Sequence, residues 1–464
     1  MDNDQSLTET QEERSVSRRE FIKRSGAVGL SAVSLGSMAS ILSSCGSTGG
    51  SSTSSNPLTF WNFYSPGGTN ALENQWFADM AAQWNKTNST QVKLVYVPTS
   101  DYINGSKLQT SFASGQGPDI FLISPGDFLR YYNGGVLQDL TPYVDKDAQQ
   151  DLYANTMGTR IVNGKIYGVP MEVEPMAIYY SVDAFEKAGL NENDVPKTWD
   201  QLREVAAKLK TNKRYGITLE TTPGYYQNFT WYPFMWQGGG DTVDTTTHQS
   251  SFNSPAVVQA LKLWQDLVKS GVAPRTLLGT GGSDVLSNLV AGYTAMQNVG
   301  IWAISDLRQR AKDFKYGVFK LPIPQGGKPS TTLGGWAFVA NAKGKNPEEA
   351  AKFCAWALAS MKPDSIQRGV DWISKAKSDI GPRKSVMDKA TANNAFVDPG
   401  MKAFKDEVFP SGRGEPRYPP EVYKAISDAL QACMLQGSDP AQQAETASNT
   451  INGFLKTYKG ASIV

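Results

Sequence analysis

The chain has 464 residues, with 45 Lys+Arg against 44 Asp+Glu and a formal net charge of +1. At roughly 150 residues per domain, that length predicts two or three domains. Hydrophobic residues at 40% and charged residues at 19% allow a sizeable core and exclude global disorder, and the balanced charge gives no general electrostatic reason to bind nucleic acid. Residues that carry reaction chemistry are scarce. The one histidine, His248, stands in the polar run "DTVDTTTHQSS", which reads as a loop and not as part of a triad. The cysteines Cys45, Cys354 and Cys433 form no CxxC and there is no HExxH, so no metal site is expected. "GQGPD" and "GTGGSD" lack the Lys or the third spaced Gly of a phosphate cradle, and no cofactor is expected.

In chain order, the first feature is "SRREFIK" at 17–23, followed by the mildly apolar "GAVGLSAVSLGSMASIL" at 26–42. That run is shorter and weaker than the ~20 apolar residues of a membrane-spanning helix. A basic segment followed by a modest apolar one reads as an export signal. Arg18 and Arg19, with Phe21 and Lys23, are similar to a twin-arginine translocation signal. "LSSC", ending at Cys45, resembles a lipobox, whose cysteine becomes the lipid-modified first residue after cleavage. Residues 1–44 are therefore expected to be a removable signal and 45–56 a Gly/Ser tether. The mature protein is expected outside the cytoplasm, on the extracellular or periplasmic face, held to the membrane by a lipid on Cys45. Such a compartment permits a disulfide between Cys354 and Cys433, but a buried free thiol fits the helical surroundings of Cys354 equally well.

The mature chain opens with a strand, "PLTFWNFY". A helix from about Thr69 to Lys86 follows, with Leu72, Trp76, Met80 and Trp84 every four residues along one drifting face. Next come a strand "VKLVYVP", a helix over about 102–114 and a strand "DIFLIS". This alternation predicts a parallel, doubly wound α/β sheet, in which ligands bind beyond the carboxyl ends of the strands. Residues 61–66 and 123–127 are thus candidate cleft residues. The middle repeats the grammar: strands in "KIYGVPMEVEPMAIYYS", a helix "TWDQLREVAAKLK" with Thr198 as N-cap, a strand "RYGITLE", a helix "PAVVQALKLWQDLVKSG" and a strand "YTAMQNVG". "GGWAFVA" is a further strand, and the tail from about Glu348 reads as mostly helical.

"SGQGPDIF", "YGVPMEVEPMAIYYSVDAFEKAGL", "AGYTAMQNVGIW" and "GGWAFVA", in this order over most of the mature chain, resemble the extracellular sugar-binding proteins of ABC transporters, the group that includes maltose-binding protein. The resemblance implies a type II periplasmic-binding-protein fold: two α/β lobes joined by two or three crossing segments and closing on ligand like a hinge. The crossings are expected near Met171–Glu174, Leu321–Gln325 and Ser378–Pro382. The N-terminal lobe would then comprise 57–171 and 322–378, and the C-terminal lobe 172–321 and 379–464. It further implies a monomeric binding protein, not an enzyme, whose partners are a sugar and the permease subunits of a transporter.

A sugar offers a ring of hydroxyls and an apolar face, so its site needs carboxylates or amides beside flat aromatics. By the resemblance, Glu174 matches the family's ligand-binding Glu, Trp302 its sugar-stacking Trp and Trp336 a frequent stacking position after two glycines. Glu172, two residues from Glu174 in an extended segment, shares its face. Asn298 precedes Trp302 on a short strand. Trp61, Tyr64 and Ser65 lie at the end of the first strand, and Asp127 in the loop after "DIFLIS". Tyr225, Tyr226 and Trp231 come from an aromatic run of which the core is expected to claim at least half. Arg383 is a candidate donor from the third crossing. Asp119, in "GPDIF", is expected to be structural. Two other readings stay open: an exported glycoside hydrolase, which would need two carboxyls about 5–10 Å apart, and a binding protein of this fold for a polyamine, phosphate ester or metal chelate.

Overall fold

The computed structural model describes residues 56–67, 71–104 and 106–463. The signal read at 1–44 with Arg18 and Arg19, the lipidation candidate Cys45 and the tether as far as residue 55 lie outside the described residues.

Eleven strands carry the architecture: β1 (Leu58–Asn62), β2 (Val92–Tyr96), β3 (Ile120–Ile123), β4 (Val169–Pro170), β5 (Glu174–Ser181), β6 (Tyr215–Thr218), β7 (Thr294–Gly300), β8 (Tyr316–Phe319), β9 (Thr331–Gly334), β10 (Ala337–Ala340) and β11 (Gly412–Gly414). They form two sheets, one ordered β2-β1-β3-β10-β4, the other β11-β9-β5-β7-β6 with β8 also on β5. Each sheet with its helices is one lobe. In the first, β1, β2 and β3 run parallel as the strand–helix alternation predicts. β10 and β4 join antiparallel, so the sheet is mixed. They arrive from, or leave for, the other lobe and owe no crossover helix to this one.

β5 organises the second sheet. All eight of its residues are buried, which suits a strand covered on both faces. Along one edge it pairs with β7 over Met176–Tyr180; along the other it pairs with β9 at Glu174–Pro175 and with β8 at Ile178–Ser181.

The chain passes between lobes at three places. The first is 171–173, between β4 and β5. The second is Gly335–Trp336, between β9 and β10, and not Leu321–Gln325. The Pro-rich "LPIPQGG" instead docks within the second lobe: Trp199 Nε1 donates to Pro322 O at 3.0 Å, and Ile323 bridges Thr198. At Ser378–Pro382, where the third was expected, the chain stays in the first lobe beside the first passage: Val173 N donates to Ile380 O at 2.9 Å and Ile380 N to Val173 O at 3.3 Å, and the following helix, Lys384–Ala392, still packs on first-lobe helix Pro363–Asp371. The third passage comes after that helix, since the next one, Pro399–Ala403, packs on β8 of the second sheet.

The first long helix, α1 (Ala71–Thr87), buries Trp76, Phe77, Met80 and Trp84 but leaves Leu72 47% exposed. A four-residue step overshoots a turn by about 40°, so three steps back from Trp84 Leu72 has left the buried face, and Phe77 takes the inner position. Asp119 is structural: its carboxylate accepts from Thr59 N and Lys345 N, both at 2.8 Å. Cys354 and Cys433 are free thiols buried in the two separate cores. His248 sits exposed in the turn of a small hairpin.

Helix α2 (Trp199–Leu209) starts on the expected cap. Thr198 Oγ1 accepts from Gln201 N, and Gln201 Oε1 accepts from Thr198 N, each at 3.2 Å. Replacing Thr198 by Ala removes one half of this box and should lower unfolding free energy by about 1 kcal/mol. Urea denaturation of the variant against wild type measures this; an unchanged midpoint would show that the box contributes nothing here.

Candidate functional site

The passage 171–173 and the start of β5 place Glu172 and Glu174 on the same side of an extended segment, at the junction of the lobes. A third carboxylate, Asp379, and the ammonium of Lys377 reach the same point from beside Ile380. Lys377 Nζ lies 2.5 Å from Glu174 Oε1, 3.0 Å from Glu172 Oε2 and 3.3 Å from Asp379 Oδ2. Glu172 also accepts from Trp372 Nε1 at 2.6 Å and from the Trp336 backbone N–H at 3.3 Å. The Tyr64 hydroxyl stands 3.4 Å from the ammonium.

One cation faces three buried acids, and the titrations reflect it. Burial lifts Glu174 to about 7, with Lys377 pulling it down and Glu172 pushing it up. Burial and the two neighbouring carboxylates hold Asp379 well above its usual range, against the pull of Lys377. Neither oxygen of Asp379 has a hydrogen-bond partner among the described residues. Lys377 is raised well above its ordinary value because Asp379, Glu172 and Glu174 together outweigh its desolvation. The three carboxylates come within 4.8 Å of one another, but the centre between them is filled by the ammonium. This is an ion cluster, not a metal cradle.

Several expected aromatics keep partly exposed faces. Trp336 is partly exposed and packs edge-on to Phe63, ring centroids 4.8 Å apart. The glycines before it serve the protein's own packing: Gly335 has φ +109°, and a Cβ there would lie 2.4 Å from Glu172 O. Trp302, partly exposed, folds its ring over Gly300, where a Cβ would come within 1.8 Å of it. Tyr226 and Phe229, on helix α3 (Tyr225–Gln237), hold their ring centroids 6.3 and 6.4 Å from that of Trp302. Trp61 is half-buried and Ser65 exposed at the end of β1.

Other expected residues are engaged elsewhere. Tyr64 is buried between Phe77 and Trp372, so only its hydroxyl serves the site. Trp231 is fully buried against Phe252. Asn298 is buried and its amide donates to Thr230 O at 3.1 Å. Arg383 is buried in the first lobe, with Nε on Asp151 at 2.7 Å and further donors on Leu358 O and Ser360 O. Asp127 pairs with Arg130 at 2.6 Å, and Arg130 reaches Tyr423.

A second carboxylate site was not foreseen. Glu415, just after β11, is buried across the junction from Gly126; a Cβ on Gly126 would sit 2.4 Å from Glu415 Oε1 and 3.0 Å from the Tyr225 ring. Burial lifts Glu415 to about 8, while Arg160 and the Gly126 N–H pull it down and Glu174 and Asp127 push it up. Its sequence signal is slight, one acid in "GRGEPRYPP".

Glu415 carries a pH prediction. Its folded pKa of about 8 exceeds the ordinary 4.5, so the protonated form contributes stability that is present below pH 4.5 and is lost as pH rises through about 8. Relative to wild type, Glu415→Gln should therefore gain stability with rising pH across that window, by at most about 1.4 kcal/mol per unit, and level off above it. Denaturant unfolding of both proteins from pH 5 to 9 measures the difference; a constant difference would mean Glu415 titrates normally.

With fold and site in view, comparison with known proteins gives one family. The sequence model described as "Bacterial extracellular solute-binding protein" matches residues 69–361, more than half of the chain, and the chain belongs to that family. It is similar to the arabinooligosaccharide-binding protein of Bacillus subtilis (strain 168), 27% identical over 403 residues, 83% of this chain and 88% of that protein. It is also similar to the galactooligosaccharide-binding protein of the same organism, 26% identical over 390 residues, 82% of this chain and 86% of that protein. Among solved structures, it shares the fold of an ABC transporter solute-binding protein from Thermotoga lettingae bound with alpha-D-tagatose, with TM-score 0.72, 23% identity, and coverage of 86% of this chain and 100% of that one. The fold is that of the type II periplasmic binding proteins. Among the described residues no helix is long and apolar enough to cross a membrane.

Proposed function

We propose that this solute-binding protein captures a sugar, mono- or oligosaccharide, between its two lobes by hinge closure and delivers it to the permease of an ABC transporter. The observation that carries the reading is the carboxylate cluster at the lobe junction, in which Glu174 is the acid with some exposure and Glu172 is bonded to the N–H of the partly exposed Trp336; Trp302 and Trp61 also keep partly exposed faces. A carboxylate accepts from ring hydroxyls while flat rings cover the C–H face. The names of the two Bacillus relatives support the same class of ligand.

The alternatives fit less well. A polyamine would seek carboxylates beside aromatic rings, but Lys377 already fills that place, 5.9 Å from the Tyr64 ring centroid and 5.8 Å from that of Trp372. A phosphate ester would meet an excess of acids. A hydrolase needs one carboxyl free to protonate a leaving group, whereas Glu172 and Glu174 share one ammonium.

Glu174→Gln and Trp302→Ala should each weaken binding at least tenfold, about 1.4 kcal/mol, in calorimetric titrations with arabino- and galacto-oligosaccharides. Wild-type affinity in either variant removes that residue from the site, and hydrolysis of the sugar would overturn the binding role.

We further infer export by the twin-arginine route and anchoring through Cys45, supported by "SRREFIK", "LSSC" and the Gly/Ser tether. The mature protein should begin at Cys45 by mass spectrometry of membrane fractions. Exchange of Arg18 and Arg19 for Lys should leave the precursor in the cytoplasm; unchanged export would assign it to the general secretory route.

A further inference from the structure

We propose that Lys377 is the positioning residue of the cleft: its ammonium anchors one oxygen of Glu174 and thereby presents this carboxylate to a ligand hydroxyl. The inference rests on the sugar-binding reading above. Three carboxylates share the ammonium, but they differ in access. The side chains of Glu172 and Asp379 are 0% exposed, whereas that of Glu174 is 10% exposed. Glu174 is therefore the one acid of the cluster with any exposure, and it also makes the shortest contact with Lys377, at 2.5 Å.

Glu172 and Asp379 act behind it. Glu172 is held by Trp372 Nε1 and the Trp336 N–H, which fixes the far side of the ammonium. Asp379 flanks it at 3.3 Å. The three N–H donors of the ammonium face Glu174, Glu172 and the Tyr64 hydroxyl, so its direction toward Glu174 is set by the other two. The titratable groups that face Glu174 are Lys377, Glu172, Asp379, Tyr64, Tyr226 and Glu415. Of the groups that move the titration of Glu174, Lys377 alone favours the charged form. Without it, a carboxylate buried this deeply takes up a proton and loses one acceptor position toward a sugar hydroxyl.

The test uses the whole mature chain with 13C-carboxyl-labelled glutamate, the Glu174 signal being assigned by its loss in Glu174→Gln. In ligand-free protein, Lys377→Met should raise the Glu174 titration midpoint by a unit or more. Glu172→Gln should lower it, because the like charge beside Glu174 is removed. Calorimetry with arabino- and galacto-oligosaccharides should show Lys377→Met binding at least tenfold more weakly at pH 7, with much of the loss recovered at pH 9, a recovery that a purely structural role would not produce. An unchanged Glu174 midpoint in Lys377→Met overturns the proposal. If that variant does not fold, an unchanged midpoint in Glu172→Gln overturns it instead. Wild-type protein that binds neither sugar counts against the sugar-binding reading alone, and the titration still decides the role of Lys377.

Discussion

A buried ammonium held by three carboxylates is the constraint on which the rest depends. Taking an ammonium and its acids out of water costs several kcal/mol for each group that stays ionised, and mutual attraction offsets this only when the geometry is right; burial lifts Glu174 to about 7 and holds Asp379 well above its usual range. Here the geometry is supplied by backbone. Val173 and Ile380 pair at the lobe junction, which brings residues 172–174 beside residues 377–379. Trp372 and the Trp336 N–H complete the set by bonding Glu172. The joint between the lobes and the charge of the cleft are therefore one object, and loss of Lys377 leaves three buried acids without their cation.

Around that object the fold divides into two mixed sheets. β5 does most to unite them. It begins at the ion cluster, is buried along its whole length, and shares one edge between β9 and β8. An eight-residue strand is long enough to accept two short partners in succession. This is how the chain returns from the second lobe to the first without an extra layer. Glu415 adds a contact far from the cluster in sequence, from β11 onto the Gly126 backbone.

Local pattern made much of the first lobe legible, and one helix start of the second. β1 to β3 with their helices and the structural part of Asp119 in the first lobe, and the Thr198 cap in the second, follow from periodicity and capping chemistry. Glu174 and the two tryptophans followed from the resemblance; the structure brings Glu174 to the junction and leaves Trp302 and Trp336 partly exposed. What stayed hidden depends on long-range contact. Lys377 and Asp379 lie some 200 residues from the acids they meet, in a stretch whose sequence reads only as helical. The second passage was misplaced because prolines in "LPIPQGG" suggest a bridge, while the four-residue β9 gives almost no signal. Arg383 was expected as a donor from a crossing near Ser378–Pro382, yet its five-donor head suits a buried ion pair with Asp151. Trp231 and Tyr225 stand in the same helix and the same aromatic run; only packing separates the core residue from the partly exposed one.

The second passage has a mechanical consequence. Only Gly335 and Trp336 separate β9 in one sheet from β10 in the other, so Trp336 rides on the axle between two plates and belongs to neither. When plates turn about an axle, points on it travel least and points at the rim travel most. On the hinge reading proposed above, Trp336, with Glu172 bonded to its N–H, lies where a turn of the plates would displace it least, and the Glu415–Gly126 contact, made between residues of opposite plates, lies where the same turn would act on it most.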